Sequence, residues 1–500
     1  MKRRWISINR YVKYDDRSIR YITVTIAKLL ATNGARCFPN NRFYFIGLTH
    51  TFPEKVDWNF GQHGKLWNYN LQYFEYLLDD AADFSQRLAL IQDLSIALLA
   101  GSVKLEPYPV SLRIINTSLF ISSHQINDEI INLALKRQVN YLENNLEYHL
   151  LGNHLLENCY ALFIVAHVLK DIELNRKAYS LLKEQLKEQI LRDGAHYECS
   201  PMYHSILLAK LLLCIDVARN NVLDAEFTEL LENKAAAMMG WLISYSFPDG
   251  SWALMNDAAL DIAPTTKQLQ KACEALNIQP IVTALKESGF RKLKGTGWEV
   301  LVKTGNIQPA YQPGHTHADL FTFCIWSDGK QLVIDPGTST YNNNEQRRWE
   351  RGTLSHNTVT VAHQSQSDVW SVFRMGKRAK VILNIDTGDV ISGSHNGYKR
   401  YGVLHERSFN KISPVSFTIY DNVVHSAQAA YITHSHILFA PGTITNITDS
   451  ELVAGNMSLT ADCIFSLEES AFAERFNTVI PTKRIRLVIN KATLLTCNFE

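Results

Sequence analysis

Net charge, paired cysteines and unbroken apolar runs are all scarce in this 500-residue sequence. The formal charge is only +1. No global basic field is therefore available to hold nucleic acid or an anionic membrane, and any grip on an acidic ligand must come from a local cluster. The cysteines, Cys37, Cys159, Cys199, Cys214, Cys273, Cys324, Cys463 and Cys497, lie far apart, mostly within apolar runs and never at C-x-x-C spacing. That pattern argues for buried thiols and against a disulfide framework in so long a chain. Lys2 to Arg4 are basic, but the nearest apolar stretch, Ile22 to Ala31, is broken by Lys28 and lacks a cleavage site. Neither a signal peptide nor a membrane span is read from it. The expectation is a cytoplasmic chain, with the periplasm or cell envelope as alternatives. Neither half contains a low-complexity tract.

Hydrophobic residues make up 46% of the chain and charged residues 20%, a globular balance, and the length calls for two or three domains. From about residue 70 to 285, apolar residues recur at helical spacing, as in Leu88, Leu90, Ile91, Leu94, Leu98 and Leu99. Short polar breaks such as Asn144 to Glu147 separate these stretches. The succession suits a bundle, a solenoid or a closed ring of helix pairs. From about residue 288 the texture becomes that of short strands and Gly/Asn turns. Phe321–Trp326, a Ser-Asp-Gly turn and Gln331–Ile334 read as a hairpin, and 358–362, 379–383, 417–424 and 431–438 as further strands of a β-sandwich. The change falls near Leu285 to Arg291.

Several constellations carry chemistry. Gly152-Asn153-His154, with Glu157 and Asn158, interrupts or opens a helix; its plain reading is an Asn cap beside a histidine. In Glu198-Cys199-Ser200-Pro201-Met202-Tyr203-His204, Ser200 can cap a helix whose first turns hold Tyr203 and His204. His315, His317 and Asp319 would share one face of an extended chain entering the Phe321 strand. Asp335 ends that hairpin and His356 follows, so a metal site of histidines and a carboxylate is one reading and isolated histidines the other. The intervening loop holds Tyr341, Arg347, Arg348 and Arg351, either an anion-binding loop or a solvated one. Trp67, Asn68, Tyr69, Tyr73 and Phe74 crowd one segment, where sugar stacking competes with core packing.

Taken in order, LWNYNLQYF, PYPVSLRIIN, GNHLLEN, ECSPMYH, FPDGSWALMND, HTHADLFTF, IDPGTSTY and RGTLSHNTV resemble the heparinase II/III lyases and related alginate lyases, from about Leu66 to Arg378 and more weakly beyond. The resemblance implies an α+β multidomain fold: an N-terminal incomplete (α/α) toroid of helical hairpins, then a C-terminal antiparallel β-sandwich. The expected division is an extension packing on the toroid (1–60), the toroid (61–287) and the sandwich (288–500), with an active site in the cleft between the last two. It implies that Asn153 and His154 meet a uronate carboxylate, that Tyr203 and His315 are the catalytic tyrosine and histidine, and that Tyr341 is a second tyrosine. His317, Asp335 and His356 fall on the family's structural zinc ligands. Asn68, Tyr69, Arg113, His204 and Arg351 are candidate substrate contacts. No organic cofactor is implied.

The implied reaction is β-elimination on an acidic polysaccharide. Removing the C5 proton of a uronate builds an enolate-like dianion, which donors such as Asn153 and His154 would stabilise by about 3 kcal/mol each. His315 or Tyr203 would act as base and Tyr203 as acid. A tyrosine base needs its phenol acidified by a nearby cation, for which a protonated histidine or Arg351 is the candidate. Two alternatives stand beside this: a glycoside hydrolase using acids such as Glu198, Asp249 or Asp257, and a non-catalytic polysaccharide-binding protein of exopolysaccharide assembly. Sequence sets neither the polymer nor the oligomeric state.

Overall fold

The computed structural model of the chain describes residues 19–32, 34–221, 225–426 and 431–500. The basic stretch Lys2 to Arg4 lies outside them. Two compact units emerge, and neither is contiguous. The first runs to Ile190 and resumes at Ser205–Met239 and Asp261–Ile281. The second comprises Leu191–His204, Gly240–Leu260 and Val282–Glu500. The grouping differs from the division expected at 287/288, since Leu191–His204, Gly240–Leu260 and residues 282–287 of the helical half fall with the strands. Their polar groups bond there, Asp193 Oδ2 accepting from the Ser288 backbone N–H at 2.9 Å and the Asp257 N–H donating to the His315 carbonyl at 2.9 Å.

In the first unit, helices α1 (Lys65–Tyr73), α2 (Phe84–Leu99), α3 (Pro107–Ser123), α4 (Glu129–Glu143), α5 (Gly152–Val168) and α6 (Ile172–Gln189) follow one another. Packing joins alternate helices, α1 with α3, α3 with α5 and α2 with α4, and also the consecutive pairs α5 with α6 and α3 with α4. Burial agrees with two layers. In α5, 16 of 17 residues are buried, whereas α6 buries 6 of its 18, at the helical spacing Leu174, Ala178, Leu182, Gln185, Leu186 and Gln189. Asp residues at the caps of α2, α4 and α6 accept from first-turn N–H groups. Before α1, three short strands (Ala35–Phe38, Arg42–Phe45, Leu48–Thr51) pair antiparallel. They place Phe43 and Phe45 against Tyr76 and Trp67.

Helix α7 (Pro201–Asn220) is long and apolar enough to cross a bilayer, but 83% of its apolar window is buried inside the protein, as in a core helix. It is followed by α8 (Ala225–Tyr245) and α9 (Thr266–Ala275). All eight cysteines are free thiols, seven buried and Cys463 half-buried.

The second unit is an antiparallel sandwich. One layer is an eight-stranded sheet in the spatial order Val381–Asp386, Val390–His395, Val403–Ser413, Ser416–His425, Ala492–Phe499, Met457–Ala461, Glu451–Ala454 and Ile444–Ile447. Facing it are two four-stranded sheets. One is the meander Phe290–Lys294, Trp298–Lys303, Phe323–Ser327 and Lys330–Val333; the other runs Phe465–Arg475, Thr478–Val488, Thr433–Leu438 and Val359–Val361. Trp298, Phe323, Phe409, Phe417, Ile485 and Leu487 belong to the shared core. Asp328 and Gly329 both have positive φ, the twist a two-residue hairpin needs. The strand expected from Phe321 begins instead at Phe323, since Phe321 itself sits at φ 62°.

Candidate functional site

Side chains with chemical potential collect in the second unit. Cys199 at φ 54° turns the chain sharply before α7. Ser200 Oγ then accepts from the Tyr203 N–H at 3.3 Å and donates to the Asp257 carbonyl at 2.6 Å. Capping by Ser200 and Pro201 in the first turn thus fix where Tyr203 emerges. The Tyr203 hydroxyl lies 3.0 Å from that of Tyr341, and its ring stacks on His315, centroids 3.8 Å apart and planes 12° apart. His315 Nδ1 donates to Glu198 Oε2 at 2.7 Å. An ionised carboxylate only accepts, so Nδ1 carries the proton and Nε2 of the neutral ring keeps its lone pair. A base held in one tautomer thus lies beside a phenol.

Tyr203 is not an acidified phenol. Burial raises its pKa above the ordinary value, and Asp257 and Glu198 add to this, against the Tyr341 hydrogen bond and Arg347. The Tyr341 phenol is raised for the same leading reason. Arg351, expected as the acidifying cation, is committed to backbone carbonyls instead. It is fully buried, donates to the carbonyls of Ser371, Val372 and Thr316, and burial lowers its own pKa to about 10. Tyr203 therefore holds its proton near neutrality, which suits an acid.

Asp257 is the hub. Burial alone would raise its carboxyl, but Arg347 and His317 hold it well below the usual range. Arg347 grips it bidentately at 2.5 and 2.7 Å, and His317 Nε2 donates to it at 2.8 Å. The Asp257 N–H meets the His315 carbonyl at 2.9 Å. Arg347 lies in α10 (Glu345–Arg351); the segment read as a loop is in part a helix, capped by Asn344. Its guanidinium also rests over the rings of Tyr341 and Phe373, 4.9 and 5.7 Å from the centroids.

The shared face expected for His315, His317 and Asp319 does not form, because this stretch is not a strand. His315 turns to Glu198, His317 to Asp257 and Asp319 to Lys303. His317 instead meets Asp335 and His356, three fully buried residues each with a donor atom within 4.8 Å of the others. His356 Nδ1 donates to Asp335 Oδ2 at 2.9 Å. His317 Nδ1, His356 Nε2 and Asp335 Oδ1 are left buried without a hydrogen-bond partner. Such orphaned donors are costly unless a cation takes them. Asp257, outside the triad, fixes the tautomer of His317, as outer carboxylates do at metal sites. The triad fits a divalent metal.

Asn153 and His154 stand in the first unit, in the opening turn of α5. Leu151 at φ 59° and Gly152 at φ 59° precede them, so Leu151 takes the cap position expected of Asn153. His154 Nδ1 donates to Glu147 Oε1 at 3.0 Å, and its ring packs on Tyr108 at 4.5 Å. Asn158 Nδ2 braces Glu147 Oε2 at 3.1 Å. One turn on, Glu157 is fully buried without a hydrogen-bond partner, and burial raises its carboxyl to about 7.

The other candidate contacts are committed within the protein. Arg113 is fully buried, with Nε donating to Gln138 Oε1 at 2.6 Å. Asn68 Nδ2 donates to the Trp58 carbonyl, and the Tyr69 hydroxyl to Glu106 Oε2. His204 Nδ1 accepts from the His196 N–H, and its ring packs on Trp241. Trp67 sits inside a cluster with Phe45 and Phe60, so core packing explains that aromatic segment. Sequence reading had not paired Glu198 with His315; no local signal links residues 117 positions apart.

Residues 109–279 match the heparinase II/III N-terminus family model, and residues 278–494 the heparinase II/III-like C-terminal model. A heparin-sulfate lyase of Pedobacter heparinus is 25% identical over 347 residues, covering 62% of this chain and 50% of that protein. One of Bacteroides stercoris is 23% identical over 353 residues, covering 63% and 50%. This chain thus spans about half the length of the curated relatives it matches. Among solved structures, a heparinase III superposes with a TM-score of 0.68 at 15% identity, covering 98% of this chain and 88% of its own. The heparan sulfate lyase HepC of Pedobacter heparinus gives 0.58 at 17%, covering 92% and 82%. Those structures share the fold, helical N-terminal part and antiparallel sandwich alike. With the two family models spanning most of its length, the chain belongs to the heparinase II/III family.

Proposed function

We propose that this chain is a polysaccharide lyase that cleaves a uronate-containing polymer by β-elimination. The observation that carries this reading is the Glu198–His315–Tyr203–Tyr341 array: an oriented imidazole stacked on a phenol that keeps its proton. His315 Nε2 removes the C5 proton, the C4–O bond breaks as the C4–C5 double bond forms, and Tyr203 gives its proton to the departing oxygen. Tyr341 can relay a replacement proton through the 3.0 Å contact. Base and acid side by side suit a uronate whose C5 proton and leaving oxygen lie on one face of the ring. The charge growing on the carboxylate is assigned to Asn153 and His154, as the family resemblance implies, and a helix start favours an anion. Relatives named heparin-sulfate lyases make a sulfated glycosaminoglycan the first polymer to try.

We assign zinc to His317, Asp335 and His356. When bound, it would neutralise Asp335 and lock the loops that carry His315 and His356. None of the proton transfers above passes through it. Hydrolysis is less well supported, because two of its candidate acids are already engaged: Asp257 by Arg347 and His317, Glu198 by His315. The test is ultraviolet absorbance of the unsaturated product across heparan sulfate, hyaluronan, alginate and bacterial uronate polymers. Elimination predicts a signal that disappears in Tyr203→Phe with folding intact. Reducing ends released without absorbance would instead indicate hydrolysis.

A further inference from the structure

Two buried arginines hold a single turn. Arg347 Nε and Nη2 donate to the Val372 carbonyl at 3.2 and 3.1 Å. Arg351 Nη1 donates to the carbonyls of Ser371 and Val372 at 2.8 and 2.9 Å. The turn closes a small antiparallel hairpin, Asp368–Ser371 with Arg374–Gly376, that pairs with no other sheet among the described residues. Arg347 also grips Asp257 and Arg351 also reaches the Thr316 carbonyl, so the same two side chains tie the hairpin to the framework of the site. At its tip is Phe373, 38% exposed, which meets the rings of Tyr341 at 5.1 Å and His315 at 6.0 Å. Trp370 on the same hairpin is 65% exposed. Phe373 thus offers a flat apolar face beside the rings of His315 and Tyr341, where a sugar ring can stack. Arg374 on the hairpin and Lys377 and Lys380 after it are exposed; Lys377 faces Asp368 at 3.8 Å, and the local excess of positive charge favours an anionic occupant.

We propose that the hairpin Asp368–Gly376 is a sugar-binding platform. Phe373 carries the apolar face of a pyranose ring of an anionic polysaccharide beside His315, Tyr203 and Tyr341, and Trp370 carries a neighbouring ring. The basic residues that follow attract the polymer's carboxylates or sulfates. This assignment rests on the lyase reading for its location, but it makes a binding prediction of its own.

Affinity electrophoresis of the full chain in gels containing heparan sulfate, hyaluronan or alginate tests it, with Tyr203→Phe as parent so that no polymer is consumed. Phe373→Leu keeps apolar bulk against Tyr341 and His315 but removes the flat aromatic face. It is expected to weaken retardation roughly tenfold, whereas Phe373→Tyr keeps it and Trp370→Ala gives a smaller loss. A purely structural Phe373 would tolerate leucine, so parent-like retardation by Phe373→Leu would overturn the platform. Failure of the parent to bind any of these polymers would overturn the anionic-saccharide class. A parent that binds through Phe373, with a wild-type chain that yields no unsaturated product, would sink the lyase reading and leave the platform standing.

Discussion

Glu157 is the sharpest physical probe of the helical unit. Its carboxyl is fully buried and has no hydrogen-bond partner, and burial, opposed by Lys210 and His154, moves its pKa from 4.5 to about 7. Between those two values the unfolded chain has released this proton while the native chain still holds it. Native stability therefore falls as pH rises through that window, by about 1.4 kcal/mol per pH unit, and levels off above pH 7. The total is about 3 kcal/mol. Glu157→Gln removes this titration but leaves an unpaired amide, a pH-independent penalty of about 1–3 kcal/mol. The variant should thus be less stable than the parent near pH 4.5 and gain on it steadily, by about 3 kcal/mol in the difference, up to pH 8. Urea unfolding of both proteins at half-unit pH steps, followed by helical circular dichroism, reads that difference directly. Parallel stability curves across the window would mean that Glu157 is ionised and solvated in the native state, and the reasoning would fail.

Two further outcomes are expected. Glu198→Ala should lower kcat by about a hundredfold or more with little change in KM, while Glu198→Gln, whose amide oxygen still accepts from Nδ1, recovers much of the loss; equal defects in both variants would argue against an orienting role. Chelation of the metal-loaded protein should lower the melting temperature and return one zinc per chain to a colorimetric indicator, and His356→Ala should abolish that zinc; full stoichiometry in this variant would place the metal elsewhere.

Elements dominated by periodicity were legible in the sequence. Helices of the first unit and the sandwich strands at 359–361, 416–425 and 433–438 fall where apolar spacing and turn residues put them, because burial on one face leaves a local trace. Motif order brought out Tyr203, His315 and the His317–Asp335–His356 triad. Long-range polar pairing left no such trace. Glu198 and Asp257 read as free acids until their partners His315 and Arg347 are known. Arg351 read as a surface cation because nothing in sequence distinguishes a guanidinium facing solvent from one facing three backbone carbonyls. Alternation misled at His315, His317 and Asp319, since it presumes an extended chain that the local backbone does not adopt.

Interleaving of the two units has a consequence for biosynthesis. The helix start that carries Tyr203 leaves the ribosome 138 residues ahead of Tyr341. At about 5–20 residues per second this is a wait on the order of ten seconds. During that time Tyr203 and Glu198 are without Tyr341 and His315, the partners they later meet. A segment so placed invites chaperone binding on the nascent chain. Slowed translation between residues 205 and 341 would lengthen that exposure and should reduce the yield of active protein more than the same pause placed after residue 360.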